Sequence, residues 1–161
     1  MSSPLLKLFD VLPQVGTIKL ICLRPDRRIE TINVAEVEAD ETTGLKGDHY
    51  RGKNGKRQVT LIQAEHLEAV GSLLGGKIID PLLTRRNLVV SGINLLALKK
   101  RQFSVGEVVL EMTGPCEPCS RMEEHFGPGG YNAMRGHGGI CARIIKGGTI
   151  RLNDEVKLID G

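Results

Sequence analysis

Short apolar runs, most of them β-branched, dominate the chain, and a clear helical spacing appears once. Gly16 to Leu23 (Gly-Thr-Ile-Lys-Leu-Ile-Cys-Leu) predicts a strand. Arg24-Pro25-Asp26 predicts a turn, and β character resumes through Ile29, Thr31, Ile32, Val34 and Val37. Gln58 to Gln63 predicts a buried strand. From Ala64 to Leu74 the period changes: Ala64, Leu67, Gly71 and Leu74 share one helical side, and His66 lies opposite beside Glu65 and Glu68, as a solvated residue would. Asp80 and Pro81 suit the cap and first position of a helical turn. Leu88-Val89-Val90 predicts a strand broken by Gly92 and Asn94, and Phe103 to Glu107 a turn. Val108 to Met112 predicts a strand leading into Thr113-Gly114. Met122 and Phe126, four apart, predict a short helix over Ser120 to Phe126. Gly127 to Gly130 reads as loop and Tyr131 to Arg135 as one helical turn. Gly139 to Ile145 and Glu155 to Ile159 predict closing strands, joined through Lys146-Gly147-Gly148 and Leu152-Asn153-Asp154.

Short strands that do not alternate with long helices favour a mainly β fold, a β-barrel or strongly curved mixed sheet with a few short helices, over a doubly wound one. The length of 161 residues suits one core. Residues 1–15, with Pro4 and Pro13, predict a weakly ordered lead-in to one domain over 16–161.

Composition narrows the function classes. Aromatic residues make up 3% with no Trp, so aliphatic side chains must fill the core, and stacking platforms for single-stranded nucleic acid are not expected. A net charge of +3 is too mild for DNA binding but suits a local anion site. No run approaches a membrane span, and Met1 to Leu6 lacks a secretory pattern, so a cytoplasmic, reduced setting is expected. There, a Cys-x-x-Cys pair points to redox, metal or sulfur chemistry. Cys22, among aliphatics, reads as a small buried hydrophobe.

The chemical interest concentrates in Gly114-Pro115-Cys116-Glu117-Pro118-Cys119-Ser120-Arg121-Met122-Glu123. Four readings compete for its thiols. Structural zinc needs two further ligands, from His125, His137 or Cys141, and no second paired motif supplies them. A thioredoxin-type dithiol belongs after the first strand of a βαβ unit, whereas this pair comes late. Two inert structural thiols would prefer apolar surroundings. The fourth reading is a reactive thiolate beside a bound anion. Arg121, Arg135 and Arg143 would favour its charged form, and Cys119 at a helix start would gain from unpaired N–H groups. Two other basic elements suit the anion: Gly44, Lys46 and Gly47, whose glycines can turn backbone N–H groups outward, and Arg85-Arg86-Asn87 at a strand entrance. Taken alone, each also fits a solvated surface, the first as a basic loop with turn glycines and the second as arginines near acidic partners.

The thiol stretch, Gly-His-Gly-Gly-Ile-Cys-Ala-Arg at 136–143 and Gly-Gly-Thr-Ile-Arg-Leu-Asn-Asp at 147–154 together resemble the MOSC domain, found at the C-terminus of molybdenum cofactor sulfurases. Gly-Leu-Lys-Gly-Asp-His at 44–49 and Thr-Arg-Arg-Asn-Leu-Val-Val-Ser-Gly-Ile-Asn-Leu at 84–95 extend the similarity over roughly 15–160. The resemblance implies a β-barrel fold. It also implies binding of the pyranopterin molybdenum cofactor, or carriage of sulfur destined for a metal or cofactor. Carried over from the amidoxime-reducing members, the second cysteine, Cys119, is the molybdenum ligand and Cys116 its orienting or resolving neighbour. Lys46, Arg85 and Asn87 fall where those members hold the cofactor. Gly44, Gly47, Arg121 and Arg135 complete the expected anion site. A sulfur donor such as a cysteine desulfurase, or an electron-carrier protein, is the implied partner. No lysine suggests covalent pyridoxal phosphate, so desulfurase activity is not expected. Alternatives from other classes are a small zinc or interaction module without catalysis, and a partner-dependent oxidoreductase acting on N-hydroxylated compounds. If the resemblance holds, Lys46 and Arg85 should face one cleft near Cys119.

Overall fold

The structure, a computed structural model, describes residues 3–50 and 54–159. Its strands in chain order are β1 (Gly16–Leu23), β2 (Ile32–Val34), β3 (Glu36–Asp40), β4 (Gly44–Leu45), β5 (Val59–Gln63), β6 (Leu88–Ser91), β7 (Gln102–Val105), β8 (Val108–Pro115), β9 (Ile140–Lys146), β10 (Gly148–Arg151) and β11 (Glu155–Leu158). The helices are α1 (Pro4–Leu8), α2 (Ala64–Leu73), α3 (Arg121–Phe126) and α4 (Gly130–Met134). Seven strands close a barrel in the order β11-β7-β8-β9-β5-β6-β1, sealed where Gly16 and Thr17 of β1 pair with Val156 and Glu155 of β11. Closure leaves these seven strands without an open edge, and β2 extends the sheet beyond β1. β10, β3 and β4 form a separate three-stranded sheet.

The barrel is filled as its composition requires. Ile18, Leu61, Leu88, Leu110, Ile140 and Val156 are buried in one cluster, in which Phe103 is the sole aromatic among the described residues. A second cluster lies outside the barrel wall. There, Leu67 and Val70 of α2, Met122 and Phe126 of α3 and Ala133 and Met134 of α4 cover Ile62 and Val89. The helical period of Ala64–Leu73 thus exists to cover the outward faces of β5 and β6. Those two strands run parallel with α2 as their crossover.

Several expectations change. Phe103 to Val105 is strand, not turn, because Phe103 and Val105 point inward and pair with Leu110 and Val108, leaving the turn at Gly106-Glu107. The β character of 28–37 divides at Ala35, so that Ile32–Val34 pairs with β1 and Glu36–Asp40 joins the smaller sheet. Gly148, expected in a connection, instead begins the strand Gly148–Arg151 that pairs with β3. Pro4 starts a helix in the lead-in, since proline is tolerated at a first helical position. His66 is half-buried, its ring meeting that of His137 edge-on at 5.2 Å.

Candidate active site

The thiol stretch sits in an excursion from the barrel wall. β8 and β9 pair antiparallel up to Pro115↔Ile140, and the chain between them, 116–139, leaves the sheet and carries α3 and α4. The amide of Cys116 donates to the carbonyl of Gly139 at 2.8 Å, closing the neck of the excursion. That closeness requires glycine: a Cβ at Gly138 would meet the Cys116 oxygen at 2.1 Å, and one at Gly139 the Leu61 oxygen at 1.9 Å.

Arg86 holds this neck from below. It is 3% exposed. Its Nε donates to the Gly138 carbonyl at 2.7 Å, Nη1 to Thr84 at 3.1 Å, and Nη2 to Cys116 at 3.2 Å and Glu117 at 3.1 Å. Four carbonyls around one guanidinium compensate its loss of water. Burial still lowers its proton affinity, and the nearby cysteine sulfurs oppose that effect.

The two thiols of the pair part company here. Cys119 is exposed, one residue before the cap of α3, whereas Cys116 is 2% exposed beneath the loop. The thiol of Cys141 hydrogen-bonds Cys116 and, with help from Arg86, Arg57 and Arg24, outweighs burial to hold Cys116 well below the usual thiol range. Cys141, the donor of the pair, is pushed up correspondingly. Cys22 is fully buried as expected, and burial, with the charge of Asp80, raises it to about 12.

Cys119 lines a cleft of about 910 Å³ whose walls carry Arg24, Arg27, Arg57, Arg85, Arg86 and Arg121, together with His49 and Tyr50. Arg85 adopts a left-handed conformation, φ 59°, so the two adjacent arginines separate. Arg85 turns to the rim and donates to the carbonyls of Ile29 at 2.9 Å and Asp26 at 2.8 Å, and Arg86 goes to the floor. Partial burial and the charges of Arg121 and Arg24 weaken Arg85's hold on its proton, against the opposing charges of Asp48 and Cys119.

Arg24 reaches the cleft from the end of β1 and is fixed by Asp48. Its amide and Nε donate to Asp48 Oδ1 at 2.8 and 3.1 Å, and its Nη2 to Oδ2 at 2.9 Å. Burial would raise the Asp48 carboxyl, but the hydrogen bonds and charge of Arg24, with the Asn87 amide, hold it below the ordinary carboxylate range. Asn87 is fully buried. Its Nδ2 donates to Asp48 Oδ1 and the Cys22 carbonyl, each at 3.1 Å, and its Oδ1 accepts from the Thr60 amide at 3.0 Å. Its amide group is therefore spent on the network that positions Arg24.

The expected residues thus divide. Arg85, Arg121 and Cys119 share one cleft. Lys46 and Gly47 line an adjoining cavity of about 670 Å³ that meets the cleft at Pro25 and Tyr50. Gly44 is buried in β4, and Asn87 and Cys116 lie beneath the surface. Arg135 is exposed at the end of α4, where its Nη1 donates to Asn132 Oδ1 at 3.4 Å. Part of the basic run after Tyr50, residues 51–53, lies outside the described residues. Sequence reasoning missed Arg24, Arg27 and Arg57, and it placed Arg86 with Arg85 at the strand entrance without separating their roles. The signal for Arg24 was its place at a strand end before Pro25. Among the described residues, no group of three or more His, Cys, Asp or Glu that could hold a metal ion is found. Among them, too, no helix is long and apolar enough to cross a membrane.

Comparison with known proteins gives the architecture a context. The family model of the MOSC domain matches residues 46–157. No curated protein sequence matches the chain. Among solved structures, the YuaD protein from Bacillus subtilis superposes with a TM-score of 0.78 at 16% identity, covering 92% of this chain and 98% of that one. YiiM from Geobacillus stearothermophilus gives 0.73 at 16% identity over 90% and 75% of the two chains. YiiM from Escherichia coli gives 0.68 at 19% identity over 90% and 70%. At these identities the likeness is one of fold.

Proposed function

We infer function from a family membership and a cleft: the chain belongs to the MOSC domain family, which is associated with molybdenum cofactor binding. We propose that this protein binds the pyranopterin molybdenum cofactor in the arginine-lined cleft, and that Cys119 is the thiolate that ligates the metal or carries transferable sulfur. The observation that carries the reading is the exposed Cys119 on the wall of a cleft with six arginines around it.

The donor set fits such a group. A thiolate is a soft ligand suited to a heavier transition metal. The arginines offer forked donors to a phosphate. Arg85 and Arg121 would hold the anionic end near Cys119, while Lys46 and Gly47, in the adjoining cavity, would hold a terminal phosphate that reaches past Tyr50. Arg24, set by Asp48, would neutralise charge at the inner wall. The molybdenum centre, when bound, supplies two-electron or sulfur chemistry. The chain contributes orientation, charge and one thiol. Its electrons or sulfur would come from another protein, an electron carrier or a cysteine desulfurase-type donor, in the cytoplasm.

Reconstitution with molybdenum cofactor, followed by metal analysis of the desalted protein, tests the reading. Wild type should retain molybdenum and Cys119→Ser should not. Equal retention in both would remove the ligand role. A native mass carrying one extra sulfur on wild type alone would favour the sulfur-carrier form.

A further inference from the structure

The neck of the excursion holds two thiols that the proposed chemistry does not use. Cys116 is the first residue beyond the last β8–β9 pair, Pro115↔Ile140, and Cys141 is the second residue of β9. They are 2% and 7% exposed. Cys141 pairs with Gly114 across the ladder, two residues before Cys116, and its thiol donates to the Pro115 carbonyl at 3.9 Å, next to Cys116, whose charged form it favours.

Arg86 supplies a second, independent observation. Its guanidinium is buried against four carbonyls, and none of the ion pairs found among the described residues includes it. A buried cation ordinarily has an anion near it. The cysteine sulfurs are the groups whose negative charge counters it, Cys116 first. The same guanidinium forms part of the floor of the arginine cleft, so a small polar oxidant that enters the cleft arrives beside the neck.

We propose that Cys116 and Cys141 are a peroxide-sensitive pair that closes to a disulfide across the neck of the loop bearing Cys119. In the first step the Cys116 thiolate attacks one oxygen of hydrogen peroxide. An S–O bond forms, the O–O bond breaks, and hydroxide leaves. In the second step the Cys141 sulfur attacks the Cys116 sulfenic acid. An S–S bond forms, the S–O bond breaks, and the departing oxygen takes the Cys141 proton to leave as water. Two thiols are oxidised by two electrons, and one peroxide is reduced to water and hydroxide. A dithiol reductant reverses the bond. The result is a covalent tie at the base of residues 116–139, and hence a redox-dependent constraint on the loop that presents Cys119. The inference does not depend on what Cys119 binds.

The test is disulfide mapping on the whole chain, in wild type and in Cys119→Ser. Protein is treated with hydrogen peroxide, alkylated and cleaved after Lys and Arg. Cleavage after Arg121 and Arg135 places Cys116 and Cys119 on one peptide and Cys141 on another. The expected result is a linked pair of peptides in both proteins, fragmenting to a Cys116–Cys141 bond, lost on treatment with dithiothreitol, with Cys22 recovered as free thiol. Persistence in Cys119→Ser separates this outcome from any failure of the cofactor reading. A bond confined to Cys116–Cys119 in wild type, or recovery of Cys116 and Cys141 as alkylated thiols in Cys119→Ser, would overturn the proposal.

Discussion

Asn87 donates its side-chain amide to Asp48 at 3.1 Å, and Asp48 in turn grips Arg24 through three hydrogen bonds. A residue at the entrance of β6 thereby sets the direction of an arginine at the exit of β1. The network is buried, so its members stand or fall together. Replacing Asp48 by Asn should destabilise the protein by about 3–5 kcal/mol, because it leaves a buried guanidinium without its anion. Urea unfolding at neutral pH measures it.

The same carboxylate predicts a pH dependence. Asp48 is held below the ordinary carboxylate range, so the unfolded chain takes up its proton at higher pH than the folded one. Its stabilisation is fully present above the unfolded value of about 4 and disappears as pH falls through the lower folded value. The difference in unfolding free energy between wild type and Asp48→Asn should therefore be constant from neutral pH to about 5 and shrink below that. A difference that stays constant into strong acid would show that Asp48 is not the group responsible.

Thiol accessibility separates the four cysteines. Cys119 is exposed and the other three are buried. In the native, reduced protein, an aromatic disulfide reagent should modify one thiol rapidly, and Cys119→Ser should abolish that fast phase without changing the slow ones. Full denaturation should release all four thiols in wild type.

The glycines at the neck should be irreplaceable for steric reasons. Gly139→Ala places a Cβ 1.9 Å from the Leu61 carbonyl oxygen in a left-handed backbone, φ 87°, whereas Gly114→Ala meets nothing within 4 Å. The first substitution should cost more than about 3 kcal/mol and the second less than about 1. Thermal melts of the two variants, read side by side, decide the matter.

Removing the charge at Lys46 should weaken retention of a phosphate-bearing cofactor without altering its metal ligand. A roughly tenfold loss in affinity, about 1.4 kcal/mol, is expected for Lys46→Ala, growing smaller in high salt. Unchanged affinity would place the terminal phosphate elsewhere in the cleft.

Much of the fold was legible because its signals are local. Gly16 to Leu23 is a strand over the residues its β-branched run indicates, and the change to helical period at Ala64 marks the start of α2. Where the expectation failed, a distant partner decided. Phe103 reads as part of a turn until Leu110 pairs with it, and Gly148–Arg151 becomes a strand only because β3 lies alongside. The site was legible to a lesser degree for the same reason. Cys119 and Arg85 announce themselves by motif and charge, but nothing local distinguishes Arg85 from Arg86 or predicts that the Asn87 amide is spent internally. Burial, which decides both, comes from strands and loops far away in the chain.

The left-handed turn at Arg85 has a consequence for how this segment tolerates change. It sends one arginine to the rim and the next to the floor, so the spacing between Pro81 and Leu88, not the charge of either position, assigns their places. Substitution of a rim arginine would subtract one donor from the cleft. Insertion or deletion of a single residue here would exchange rim for floor, withdraw the support under Gly138 and Cys116, and loosen a loop whose supported ends lie 30 and 52 residues further along the chain. Related chains should accordingly vary in side chains at 81–85 far more readily than in the length of that segment.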